Sequence, residues 1–172
     1  MSDSPLHVRV LTPADEPAVS ALIGVAFGPG RYAKTAYRLR EGTELISAYC
    51  RGAYMGERLV GVIRFSPVSV DRDGLVHPSR RTPAPGGDSI SARADALLLG
   101  PLAIDPHVAG RAIGQQLMRE GLALAEASSV ALVILVGDLA FYERWGFERA
   151  APGSLRLPGP VDPARLLILR LT

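Results

Sequence analysis

A chain of 172 residues matches one domain at about 150 residues each, which excludes a second full-size catalytic domain. Hydrophobic residues make up 48% and charged residues 21%, enough apolar material for a core and too much for a disordered chain. The net charge of +2, with a pI near 9.0, is too small an excess to argue for a nucleic-acid binder, although it leaves room for a local basic site for a phosphate-bearing ligand.

LHVRVL (Leu6 to Leu11) alternates apolar and polar residues as a half-buried strand does. TPADEPAVSALIGVAFG then predicts a helix with Thr12 as N-cap and Pro13 at the first position, Ala18, Leu22, Val25 and Ala26 on one face, and a stop at Gly28 to Gly30. Arg31 to Glu41 reads as a second, more basic helix, and LISAYCRGAYM and ERLVGVIRFSPVSV as a hairpin turning at Gly56. Asp71 to Asp95, with PAPGG inside it, lacks periodicity and reads as a long surface loop at 71-95, either mobile or bordering a binding site, with a tolerated insertion of no role as the plain alternative.

Ala96 to Asp105 reads as a buried strand broken by Gly100-Pro101, where proline removes a ladder donor and predicts a bulge or splayed edge. Such a break would leave the Leu102 and Ile104 backbone groups for a ligand. GRAIGQQLMREGLALAEAS predicts a helix, VALVILVG a second buried strand and DLAFYERW a short helix capped by Asp138; LRLP and RLLILRL add two short strands. The whole reads as a single α/β domain, 1-172, without internal repeats. The one cysteine, Cys50, excludes intrachain disulfides and fits a reducing cytoplasm; it reads as a core residue rather than a nucleophile. His7, His77 and His107 lack H-x-x-x-H spacing, so no metal is expected. The aliphatic runs fall far short of the roughly 18 residues that span a bilayer, and MSDSPLHVRV carries no export signal, so no membrane association is expected.

The strongest chemical signal is HVAGRAIG (His107 to Gly114), a strand-to-helix turn holding Gly110, Ala112 and Gly114. Small residues let a ligand approach the backbone, unpaired amides at a helix start collect hydrogen bonds from a phosphate, and Arg111 adds a full charge. Neither G-x-x-x-x-G-K-[ST] nor G-x-G-x-x-G is present. Arg111, Gln115 and Arg119 share one helical face, for which solvation is the ordinary role except in the first turn, and Ile113, Leu117 and Leu124 occupy another. In the short helix Phe141 and Trp145 form the expected buried stripe, from which Tyr142 points about 100° away.

LGPLAIDPHVAGRAIGQQLM resembles motif A of the GNAT superfamily of acyl-CoA-dependent N-acyltransferases, and LVGDLAFYERWGFERA resembles the G-D-x-x-Y-Y-x-R-F-G-F signature of a bacterial GNAT subgroup known as predicted acetyltransferases. The resemblance covers Leu97 to Ala150 and implies a GNAT-like mixed, splayed central sheet flanked by helices. It implies acetyl-CoA as acyl donor, an amine-bearing small molecule or protein as acceptor, direct attack on the thioester, and a monomer or homodimer. Carried over residue by residue, cofactor contacts fall on Leu102, Ala103, Ile104, Ala109, Gly110, Arg111, Ala112, Ile113, Gly114, Gln115, Asp138 and Tyr142, with Tyr142 as the catalytic residue at the departing sulfur. Ala109 stands where the family has Gln or Arg, and Ala112 where it has glycine. These departures motivate the rival reading, a weak or inactive acyl-CoA sensor or partner-binding module. Glu41, Glu44, Asp95 and His77 are candidates for the general base by residue type alone. A nucleic-acid site at Arg80, Arg81 and Arg93 lacks aromatic interleaving.

Overall fold

The computed structural model describes residues 4–27, 49–78, 96–108, 112–128 and 130–171. The expected helix Arg31–Glu41, the stop at Gly28–Gly30, the start of LISAYCRGAYM and the arginines Arg80, Arg81 and Arg93 lie outside the described residues, as do Glu41, Glu44 and Asp95.

An eight-stranded sheet carries the fold in the order β1 (Leu6–Val10), β2 (Arg51–Met55), β3 (Arg58–Val70), β5 (Ala96–Ile104), β6 (Leu132–Val136), β8 (Leu166–Arg170) and β7 (Glu148–Arg149), with β4 (Val76–Pro78) pairing β3 off this path. Every neighbouring pair is antiparallel except β5 and β6. That parallel pair requires a crossover, which helix α2 (Ile113–Glu126) supplies. Helix α1 (Glu16–Phe27) packs on one face of the sheet, and α2 with the short helix α3 (Leu139–Tyr142) on the other.

β3 shows how the sequence builds both faces. Ile63 and Phe65 join the core under α2, whereas Val62 joins the core under α1, as the period of two demands. Each such fully buried aliphatic or aromatic side chain stabilises the fold by about 1.5–3 kcal/mol. The helix α2 lies close against the sheet because Gly121 has no side chain: a Cβ there would come within 2.7 Å of Phe65 Cε2.

Three expectations are corrected. The buried stripe of α1 is Val19, Leu22 and Ile23; Ala18 and Ala26 are exposed and Val25 is 66% exposed. EPAVSALIGVAF is apolar nearly all round, so its pattern does not choose a face. The stretch read as loop begins as a hairpin, with Val68–Val70 pairing Val76–Pro78 around a turn in which Asp71 accepts the Asp73 and Leu75 N–H groups; residues 79–95 lie outside the described residues. LRLP makes no strand; Arg156 only bridges Leu75.

The start of α1 follows the capping rule with one addition. Thr12 precedes a short 3-10 turn, Pro13–Asp15, and the Asp15 carboxylate accepts from Thr12 N (2.7 Å), Thr12 Oγ1 (3.1 Å), Arg9 Nη2 (3.1 Å) and Tyr54 Oη (3.1 Å). The Thr12 N–H bond, with Arg9 beside it, lowers the Asp15 pKa from 3.8 to about 2. A depressed carboxylate contributes stability above its unfolded pKa and loses it as pH falls through the folded value, so this contribution is complete at neutral pH and disappears between about 4 and 2. Asp15→Ala is expected to cost about 1–2 kcal/mol at pH 7, after allowance for solvent screening, and much less at pH 2.5. Urea unfolding at the two pH values checks it; an equal loss at both would assign the effect to packing.

Candidate active site

The break at Gly100-Pro101 organises the site. β3 offers Ile63, Arg64 and Phe65 where β5 offers Leu99, Gly100, Pro101 and Leu102, so β5 carries one extra residue and the register shifts between Ile63 and Phe65. The extra residue reverses the facing of the strand. Leu97 and Leu99 join the core under α2 before it, Leu102 and Ile104 pack against the same core after it, and Ala103 turns to the α1 face.

On its other side, β5 pairs with β6 only from Ala96 to Leu98, against Leu132 to Ile134, and the two strands then part. Asp105 N–H donates to Val60 O at 2.8 Å, which fixes the alternation of the β3–β5 ladder. In an antiparallel ladder every second residue turns both backbone groups away from the partner, so with Asp105 and Ala103 bonded to β3, Leu102 and Ile104 face the opening beside β6. The strands therefore form a V-shaped opening into which β5 turns backbone donors and acceptors that have no partner among the described residues.

Asp105 closes the far end of β5. It is only 7% exposed, and its carboxylate accepts from the Arg58 guanidinium at the start of β3 and from His107 N–H at 2.9 Å. The His107 N–H bond and the Arg58 charge hold its carboxyl below the ordinary carboxylate range. The pair ties the turn after β5 to the neighbouring strand. Asp105 was not legible as a site residue because Arg58 lies 47 positions away.

The helix begins later than its sequence suggests, at Ile113, with Ala112 as N-cap in the left-handed conformation at φ 57°. Ala109, Gly110 and Arg111 lie outside the described residues. Ile113 is buried, Gly114 half-buried and Gln115 exposed, and the Gln116 N–H bonds Ala112 O, so among the described residues the amides of Ile113, Gly114 and Gln115 are the unpaired donors of the first turn. A left-handed alanine costs about 1–2 kcal/mol relative to glycine, against which glycine loses about 0.4–1 kcal/mol more chain entropy on folding. Ala112→Gly is expected to stabilise the protein by about 0.5–1 kcal/mol. A raised urea midpoint with an unchanged slope checks it, and a lowered midpoint contradicts the strain argument.

β6 ends at Gly137, and the Asp138 side chain caps α3 by accepting the Ala140 N–H at 3.1 Å. The expected stripe of Phe141 and Trp145 is replaced by Leu139, Tyr142 and Trp145, which pack on the core. The reason is helical pitch: after Tyr142 the chain tightens into a 3-10 turn, Glu143–Trp145, with about three residues per turn, so side chains three apart align. The Tyr142 ring sits over Gly137, where a Cβ would come within 2.7 Å of Tyr142 Cε2, and meets Phe141 and Phe147 edge to face. Burial raises the phenol pKa above its ordinary value of 10.0, opposed by the Arg165 charge. Among the described residues nothing hydrogen-bonds its hydroxyl. The result is a fixed ring with an uncommitted donor at the C-terminal end of β6. Gly137 went unrecognised because nothing in LVGD marks a glycine as the seat of a ring five positions on.

No family model matches the chain. The uncharacterized N-acetyltransferase YhbS of Escherichia coli K12 is 30% identical to it over 164 residues, spanning 95% of this chain and 86% of that one. The crystal structure of YhbS, a GNAT family N-acetyltransferase in complex with CoA, superposes with a TM-score of 0.70 over 97% of this chain and 82% of its own. A GNAT family acetyltransferase from Brucella melitensis in complex with acetyl-CoA is 27% identical, with a TM-score of 0.60 over 95% of each chain. A parted pair of parallel strands and identity sustained over nearly the whole length have one common explanation, and the chain belongs to the GNAT family of N-acetyltransferases.

Proposed function

We propose that the chain transfers an acetyl group from acetyl-CoA to a primary amine of a small molecule or protein, with the donor seated between β5 and β6. The observation that carries this reading is the opening itself, with the Leu102 and Ile104 backbone groups turned into it from one side and the Tyr142 hydroxyl free beyond the end of the other. YhbS holds CoA and the Brucella protein holds acetyl-CoA, which supports the same donor here.

The residues present suit such a donor. The first-turn amides of α2, together with Arg111, would hold the pyrophosphate, and the Leu102 and Ile104 backbone groups would bond the amide-bearing pantetheine arm. The remaining residues at these positions, Ala103, Ala109, Gly110, Ala112 and Asp138, would shape the cradle, with the Asp138 carboxylate already engaged in its helix. The donor supplies a thioester; the amine nitrogen forms the new bond to its carbonyl carbon as the carbon–sulfur bond breaks. The nitrogen loses a proton and the sulfur gains one, so the balance closes with an amide and a free thiol. Tyr142 donates a hydrogen bond to the sulfur as charge develops there.

The motif in LVGDLAFYERWGFERA supports placement in the subgroup with the tyrosine-containing signature. We take the chain as a single domain working in the cytoplasm as a monomer or homodimer; no described helix is long and apolar enough to cross a membrane. Calorimetric titration with acetyl-CoA, followed by an amine panel assayed for free thiol, tests the function. Saturable binding and amine-dependent thiol release are expected. Binding without release from any amine returns the sensor reading, and absence of binding contradicts the donor site.

A further inference from the structure

Beyond the donor site, a cleft of about 360 Å³ opens at the C-terminal end of β6, lined by Gly137, Asp138, Leu139, Glu143, Arg149 and Arg165 among others. Its charged residues come from three separate pieces of chain: Glu143 follows α3, Arg149 lies in β7, and Arg165 precedes β8. Asp138 is committed to the Ala140 N–H. Arg149 Nε donates to Ala164 O at 3.3 Å, which leaves the two terminal nitrogens of its guanidinium for another partner. Arg165 is held in place through its backbone, its carbonyl accepting the Gly137 N–H at 2.9 Å. Among the described residues, Glu143, Arg149 and Arg165 form no ion pair.

Two cations and two carboxylates, those of Asp138 and Glu143, thus share a cleft in which, among the described residues, no ion pair forms. Gly137 lines this cleft and also seats the Tyr142 ring, so cleft and tyrosine share one residue at the C-terminal end of β6. Guanidinium forks match a carboxylate geometrically, and a carboxylate accepts from an ammonium group. The volume is at the lower end of small-ligand pockets, about 300–1,000 Å³, which suits a free amino acid.

Resting on the transferase reading above, we propose that this cleft is the acceptor subsite and takes a small amine that also carries a carboxylate, Arg149 and Arg165 binding the carboxylate and Glu143 receiving the amine end. Hydrogen bonds to charged groups contribute about 1.5–3 kcal/mol, equivalent to about 10-fold or more in preference for an acid over its uncharged amide.

The test compares L-amino acids with their carboxamides as acetyl acceptors, for the wild type and for the Arg149→Gln/Arg165→Gln double variant, with Arg149→Lys as a charge-keeping control. The wild type is expected to favour acids over amides by about 10-fold or more in kcat/KM, chiefly through KM, and the double variant to lose most of that preference while Arg149→Lys keeps most of it. Both arginines are exposed, so melting temperature serves as the folding check. Equal use of acids and amides by the wild type overturns the proposal, as does a preference that survives in the double variant. Acetyl-CoA affinity, measured separately by calorimetry, shows whether the donor reading stands. If no acceptor turns over, calorimetry of the same acids and amides against protein with CoA decides the cleft, and no acid-selective binding sensitive to the two arginines overturns it.

Discussion

Replacing Tyr142 with phenylalanine is expected to slow the chemical step by about 100-fold while leaving folding and acetyl-CoA affinity nearly unchanged. The ring does the packing, against Gly137 and Phe147, and among the described residues the hydroxyl has no structural bond to lose. A phenol of pKa about 10 delivering its proton to a thiolate of pKa about 8.5 works uphill by about 2 kcal/mol. Burial raises the Tyr142 pKa and steepens that climb, so in the proposed mechanism the hydroxyl hydrogen-bonds the departing sulfur rather than protonating it. The direction also sets the pH response. A phenol with a raised pKa stays protonated below pH 10, so its ionisation removes no activity on the alkaline side until above that point, while deprotonation of the acceptor amine raises the rate. Single-turnover kinetics check both statements; wild-type turnover in the phenylalanine variant would assign Tyr142 to packing alone.

Gly137→Ala is expected to act through the same tyrosine. The new methyl would stand 2.7 Å from Tyr142 Cε2 and 3.0 Å from Leu135 Cδ1, so the ring must move, and a displacement of about 1 Å costs about 100-fold where geometry governs the step. The loss should appear in kcat, with acetyl-CoA affinity less affected, because Gly137 lies at the C-terminal end of β6 beside Tyr142 rather than at the start of α2. Combining it with Tyr142→Phe discriminates the cause. If the methyl works only by moving the hydroxyl, the double variant is about as slow as Tyr142→Phe alone; multiplied losses would show an independent effect on the fold.

The two halves of the site differ in how far their residues announce it. Gly100-Pro101 inside an apolar run is readable as a bulge from covalent structure alone, since proline cannot donate to a ladder, and the structure places the bulge and the parting of β5 from β6 there. The face reversal that follows is a consequence of register, which only the pairing with β3 reveals. Tyr142 stands out by its surroundings in the sequence, but the direction read for it assumes 3.6 residues per turn, and the 3-10 turn that follows it moves the stripe. The Asp105–Arg58 pair and the cluster of Glu143, Arg149 and Arg165 join residues from different elements, and no local pattern encodes such meetings. Ala112 is an intermediate case: its departure from the family glycine is visible in sequence, and its left-handed backbone explains why glycine suits that position.

The proposed placement of the donor between β5 and β6 is tested most directly by amide hydrogen exchange at Leu102, Ala103 and Ile104 with and without saturating acetyl-CoA. The Leu102 and Ile104 N–H groups face the opening and should exchange markedly more slowly once the pantetheine arm accepts from them, while Ala103, already bonded to β3, should change little. Exchange at Leu102 and Ile104 that is unaltered by acetyl-CoA, under conditions where calorimetry shows the protein saturated, would contradict the placement of the donor between these strands.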